Sequence, residues 1–235
     1  MSAVALRPSC RACRRSNCPE PGPRLSAPTR AMPSSAPSAL SAEIAATAAR
    51  LVVEEGLEYG PAKQRALKLL GHRGLPARDL PDNDLLEYEV RTYIELFCAE
   101  TQPRELAALR EVALGWMERL AEFRPHLSGA VWRGTATRLN DVHLQLYCDD
   151  SKAAEIALLN AGIGYDVGST RSPNGRTIDV LSLAQPCATL NESVTVHLSI
   201  LDHNDLRGAL KRDAHGRSAR GDAAALRQLM TKDAR

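Results

Sequence analysis

Asp141 and His143 stand two residues apart in Asp141–Cys148, a stretch that alternates polar and apolar side chains. In an extended strand, successive side chains point to opposite faces. Val142, Leu144, Leu146 and Cys148 are therefore expected to face a core, with Asp141, His143, Gln145 and Tyr147 on the other face. A second alternating stretch, Ser193–Leu201, places Thr195, His197, Ser199 and Leu201 on one side. Asp141, His143 and His197 together are a carboxylate and two imidazoles, a donor set for Mn²⁺ or Zn²⁺ more than for the oxygen-seeking Mg²⁺. Just upstream, Gly129 and Gly134 permit the unusual φ values of a phosphate-cradling turn. Arg133, Thr135 and Arg138 beside them have the donors to grip a phosphate or nucleotide.

The elements that must position these residues follow from local pattern. A helix is expected from Ala42 to about Glu55, with Ile44, Ala48, Leu51 and Val52 on one face. A shorter helix opens at Pro61 and stops at Gly71. Leu75–Pro81 reads as a loop, and Asp84-x-x-Glu87 as a capping box opening a helix that runs to about Glu100. The next helix carries the stripe Leu106, Leu109, Val112, Trp116, Leu120 and Phe123, and Pro125 ends it. From Leu127 the pattern changes to strands. Lys152–Asn160 reads as a helix closed at Gly162, Tyr165–Val167 and Thr177–Leu183 as strands around the turn-rich Ser169–Arg176, and Asp222–Met230 as a final helix.

The segment from Gly129 to His143 resembles the signature of the nucleotidyltransferase superfamily, the fold shared by DNA polymerase beta and the minimal bacterial nucleotidyltransferases. Gly129 and Gly134 match the two glycines of that signature, and Asp141, twelve residues after Gly129, matches its first metal-binding carboxylate. Ala130 stands in place of the phosphate-binding Ser, Asn140 in place of the Ser before the first Asp, and His143 in place of the second Asp. The resemblance implies a site holding a divalent metal (Mg or Mn) with a nucleotide, with Asp141 as the catalytic carboxylate. A third carboxylate is expected on a later strand; the nearest acids are Asp202 and Asp179. Over roughly Ala45–Leu229 the chain is also similar to short bacterial proteins labelled UDP-N-acetylmuramate–alanine ligase. That activity needs an ATP-binding P-loop and a much longer three-domain chain, so the sequence gives the label no support.

Charge is distributed unevenly over the 235 residues. The net charge of +2 combines +5 in residues 1–31, +5 in residues 207–235 and −8 in residues 32–206. An acidic body lacks the basic stripe of a nucleic-acid-binding fold, so any nucleic acid contact is expected from the tails. Residues 1–40, rich in Pro, Ser, Ala and Arg, are expected to form a disordered extension. This stretch is Arg-rich and almost free of acid, as transit peptides are, yet it lacks an amphipathic period, and Met32 is an alternative start. Cys10, Cys13 and Cys18 lack a fourth ligand at zinc-site spacing. Cys98, Cys148 and Cys187 sit in apolar or strand-like surroundings, which reads as buried free thiols. No run approaches the ~20 apolar residues of a membrane span, and a cytoplasmic setting is expected.

The sequence thus reads as an α+β protein, a helical N-terminal half packed on a nucleotidyltransferase-like mixed β-sheet. The expected division is a 1–40 extension, a 41–126 helical region, a 127–206 α/β region and a 207–235 basic tail with a short helix. The expected function is a degenerate nucleotidyltransferase-like protein that binds a nucleotide or a protein partner, with weak or no transferase activity. The alternative is an active metal-dependent transferase using Asp141, His143 and an acid from the last strand region.

Overall fold

The computed structural model describes residues 38–72, 80–172, 175–213 and 216–233. The N-terminal extension up to residue 37, with Cys10, Cys13 and Cys18, lies outside the described residues. So do most of the Leu75–Pro81 loop and the Pro173-Asn174 turn.

Three helices open the described chain: α1 (Ala39–Glu55), α2 (Tyr59–Leu69) and α3 (Asn83–Phe97). The Ser38 hydroxyl accepts the Ser41 N–H at 3.1 Å, so α1 begins three residues earlier than its apolar period suggests. Gly56, at φ +68°, ends it in the left-handed conformation. A Cβ at Gly56 would lie 2.5 Å from the Leu139 carbonyl oxygen, so this glycine is also where α1 meets the later α/β part. At α3 the cap is Asp82, whose Oδ1 accepts the Leu85 N–H at 2.7 Å, and not the Asp84–Glu87 box. Glu87 is buried instead, and Arg91 donates to it at 2.8 Å. Ile44, Ala48, Val52, Ala62, Leu86, Val90 and Ile94 close a core among these three helices.

A fourth helix, α4 (Gln102–Arg119), is followed by the 3₁₀ turn Ala121–Phe123. The chain then builds β1 (His126–Ser128), the one-turn helix α5 (Gly129–Arg133), β2 (Val142–Cys148) and α6 (Ala153–Asn160). The remaining elements are β3 (Asp166–Arg171), β4 (Thr177–Cys187), β5 (Glu192–Asp202), α7 (Leu206–Ala209), β6 (Arg220–Gly221) and α8 (Ala223–Asp233). Strands β1 and β6 are too short to carry an alternating pattern, and only their partners on the sheet reveal them.

The six strands form one mixed sheet in the order β3-β4-β5-β2-β1-β6, with β2 and β5 its parallel pair and every other neighbour antiparallel. The apolar face of the sheet carries Val142, Leu144, Leu146, Leu181, Leu183, Val196 and Leu198. It packs on Leu109, Ala113, Trp116 and Met117 of α4, Leu158 of α6 and Leu226 of α8. The fold is therefore α+β, with a helical N-terminal half packed on a mixed sheet. Among the described residues no helix is long and apolar enough to cross a membrane.

Candidate functional site

The opposite face of the sheet is polar, and strand register lines its residues up. Ser182 of β4 is opposite His197 of β5, His197 is beside His143 of β2, His143 is opposite Ser128 of β1, and Ser128 is opposite Arg220 of β6. Residues paired across strands share a face, so these five side chains form one row across five strands. Alternation on β2 and β5 made His143 and His197 legible. Ser182, Ser128 and Arg220 join the row only through register, which the sequence does not give.

Asp141 lies at the start of β2 with Oδ2 3.2 Å from His197 Nε2. On the other side of the same ring, His197 Nδ1 is 2.8 Å from Ser182 Oγ. The His143 ring stacks on His197 with centroids 5.0 Å apart and planes 20° off parallel. Its Nε2 is 3.4 Å from Oε1 of Glu58, the residue preceding α2. The hydrogen bond with His197 holds the Asp141 carboxyl below the usual carboxylate range, with burial opposing it. Glu58 is lowered in the same way, first by its hydrogen bond with His143. Glu58 is a site residue the sequence concealed: it lies between two helices, far from any motif.

The connection from β1 to β2 has a defined geometry. Gly129 (φ +75°) opens α5 and Gly134 (φ +79°) closes it, both in the left-handed region that favours glycine. A Cβ at Gly129 would make ordinary contact with His143 Cδ2 at 3.4 Å, so it is the left-handed backbone, beside the imidazole row, that favours glycine here. The Gln102 side-chain amide donates to the carbonyls of Gly134 at 3.2 Å and Ala136 at 2.9 Å, pinning the segment to α4. Asn140, which stands where the superfamily has Ser, accepts the Thr137 N–H at 2.8 Å and closes the turn that delivers Asp141 to the sheet.

The other residues singled out around Gly134 divide. The Arg133 guanidinium lies 4.5 Å above the Tyr59 ring, and the Arg133 carbonyl accepts from Arg91 at 2.5 Å. Thr135 is buried beside the Tyr59 hydroxyl, whose pKa burial pushes up. These two side chains therefore engage α2. Arg138 is exposed, and its N–H donates to Glu105 at 3.0 Å. At the far end of the row, Arg220 donates to Gln145 Oε1 and, at 3.1 Å, to the Tyr147 hydroxyl.

The two-metal chemistry implied by the superfamily resemblance needs three clustered carboxylates. Asp202 pairs in register with Cys148, at the opposite end of β2 from Asp141, roughly 20 Å along the strand at about 3.3 Å per residue. Asp179 is three residues from Ser182 on β4, so it points to the other face, where it lies 3.8 Å from Lys152. Both nitrogens of His197 already have protein partners. Among the described residues, no group of three or more His, Cys, Asp or Glu is arranged to hold a metal ion. One Asp and two imidazoles do not fit a pair of Mg²⁺ ions.

No protein-family model and no curated protein sequence matches the chain. Three solved structures are similar over about half of it. A cytoplasmic RNA terminal U-transferase gives a TM-score of 0.33 at 15% identity, covering 51% of this chain and 39% of its own. Cid1 in complex with a UTP analogue gives 0.32 at 15%, covering 49% and 38%. The Cid1 poly(U) polymerase with MgGTP bound gives 0.31 at 14%, covering 49% and 39%. The chain thus spans well under half the length of each of these proteins.

Proposed function

We propose that this chain is a degenerate nucleotidyltransferase-like protein that binds a nucleotide or a protein partner and has weak or no transferase activity. The observation that carries this reading is the β1–α5–β2 connection. Two left-handed glycines bracket a single helical turn, and Asp141 follows at the mouth of the sheet. The loss of activity rests on the donor set, because Asp141 has no second carboxylate on its strand, and the acid in register with the row, Asp166 of β3, stands three strands from β2. Nucleotide binding would use the exposed Arg138 and the backbone of the Gly129–Gly134 turn. Arg133 is less available for it, being stacked on Tyr59.

Calorimetric titration of the full chain with ATP, CTP, GTP and UTP, with and without Mg²⁺ or Mn²⁺, tests the reading. The expected result is binding that does not depend on metal, survives Asp141→Asn and is lost in Arg138→Ala. Metal-dependent binding lost in Asp141→Asn would favour the active transferase instead. Silence with all four nucleotides would leave the protein-partner half of the proposal, to be pursued by crosslinking.

A further inference from the structure

We infer that Ser182, His197 and Asp141 form a hydrogen-bonded relay that makes the Ser182 hydroxyl a nucleophile toward activated, uncharged acyl donors. The two contacts fix the direction of the relay. An ionised carboxylate only accepts, so the His197 Nε2, 3.2 Å from Asp141, carries the ring proton. His197 Nδ1 then holds a lone pair 2.8 Å from Ser182 Oγ, and the serine hydroxyl donates to it. The sequence carboxylate, imidazole, hydroxyl is the one that activates a serine in hydrolases, here with the two ring nitrogens exchanged.

The relay is built on rigid parts. Ser182 and His197 are directly opposite each other on neighbouring interior strands of the sheet. The His143 ring stacks on His197, and Glu58 holds His143 in turn. Supporting contacts of this kind keep a reactive pair in register. The line is also reachable, because Ser182 is partly exposed and the side chains of His197 and Asp141 are 24% and 45% exposed.

The surrounding charge selects the substrate class. Asp166 of β3 is opposite Ser182 and exposed, and Asp141 stands behind the His197 ring on the other side. With Asp166 beside the hydroxyl and Asp141 behind the imidazole, a polyphosphate is repelled and a neutral acyl carbon is the fitting electrophile. In the step itself the Ser182 proton passes to His197 Nδ1 as the Oγ–C bond forms. The bond from the acyl carbon to its phenolate or thiolate leaving group breaks, and that group takes the proton from His197. The product is an acyl ester of Ser182. Nucleophile and base are two of the three parts of an acyl-transfer site, so the expected reaction is slow, stoichiometric acylation and not rapid turnover.

The test treats the full-length protein with p-nitrophenyl acetate, and separately with an alkyl fluorophosphonate, at pH 7.5 without nucleotide or metal. Intact mass and peptide mapping are read over time. The expected result is one adduct, on Ser182, with one equivalent of p-nitrophenolate released. Ser182→Ala should abolish it. His197→Gln and Asp141→Asn should slow it at least tenfold while melting within a few degrees of wild type. Ser199→Ala, one pleat along the same face, should label as wild type. If His197→Gln fails to fold, Asp141→Asn carries the comparison. No adduct, an adduct elsewhere, or wild-type rates in a folded Asp141→Asn would overturn the inference. Because no nucleotide enters the experiment, neither outcome bears on nucleotide binding.

Discussion

Glu58 and His143 face each other across the boundary between the helical half and the sheet, Oε1 to Nε2 at 3.4 Å. The contact joins a residue just before α2 to the central parallel strand pair, and it is matched one strand over by Asp141 and His197. The polar face of the sheet is thus held by two carboxylate–imidazole pairs whose rings stack on each other.

Acid sensitivity follows from these pairs. Both Glu58 and Asp141 have carboxyls lowered below their ordinary values, first by the imidazole hydrogen bond. A depressed carboxylate contributes stability that is fully present above its unfolded-state pKa and is lost as pH falls through the folded one. Wild type should therefore lose stability below about pH 4, and Glu58→Gln and Asp141→Asn should each flatten that loss. Both side chains are about half exposed, so each effect should be near 0.5 kcal/mol. Thermal melts from pH 7 to pH 3 measure it, and parallel slopes for wild type and variants would show that the pairs do not couple to folding.

The helices were legible because their apolar residues repeat at three and four, and β2 and β5 because theirs alternate. The cap at Asp82 was hidden because Asp84 and Glu87 offer the same residue types two positions later. Only the three-dimensional pairing of Glu87 with Arg91 decides between them. Asp141, His143 and His197 could be placed on strands, but their partners could not. Ser182 falls in the expected strand Thr177–Leu183 with nothing there to mark it as a partner of His197, and Glu58 carries no pattern at all. Strand register and helix docking bring them in, and both depend on contacts between residues far apart in the chain.

Two glycines should respond to alanine with opposite signs. A Cβ at Gly221 would stand 2.0 Å from the Trp132 ring, whose Nε1 is anchored on the Ser218 carbonyl at 2.7 Å. The ring cannot retreat without giving up that hydrogen bond, so Gly221→Ala should cost about 2 kcal/mol. Gly115, inside α4, has nothing within 4 Å of the same position. There alanine removes only backbone entropy from the unfolded chain, and Gly115→Ala should stabilise by about 0.5–1 kcal/mol. Urea unfolding of the two variants gives the comparison directly.

Cys148 should be chemically silent in the native protein. It is buried at the end of β2, and burial, reinforced by Asp149, Asp150 and Glu122, pushes its thiol pKa up to about 11. Thiolate is the reactive form, so at pH 8 iodoacetamide should modify the half-buried Cys98 well ahead of Cys148. In urea the two should react at similar rates. Peptide mapping of a time course separates them, and early native labelling of Cys148 would mean that the β2 end opens readily.

The C-terminal helix is held by a charge it shares with the core. Arg110 of α4 is 3% exposed; its Nε donates to the Val131 carbonyl at 3.3 Å, and its Nη1 pairs with Asp233 in the last turn of α8. Asp233 is half exposed, so it bears little desolvation of its own, but it is the carboxylate paired with a guanidinium that water barely reaches. Removing one partner of a buried pair leaves the other charge without compensation, a larger loss than the pair itself contributes. Asp233→Asn should destabilise by about 2 kcal/mol, whereas Asp222→Asn, at the exposed start of the same helix, should cost less than about 1 kcal/mol because the Asn side-chain oxygen still accepts the Ala225 N–H as a cap. Arg110→Met removes the buried charge along with its partner's role and should cost less than Asp233→Asn and Arg110→Ala alike. Denaturant unfolding of the four variants orders them, and an Asp233→Asn midpoint equal to wild type would show that solvent, not Asp233, compensates Arg110.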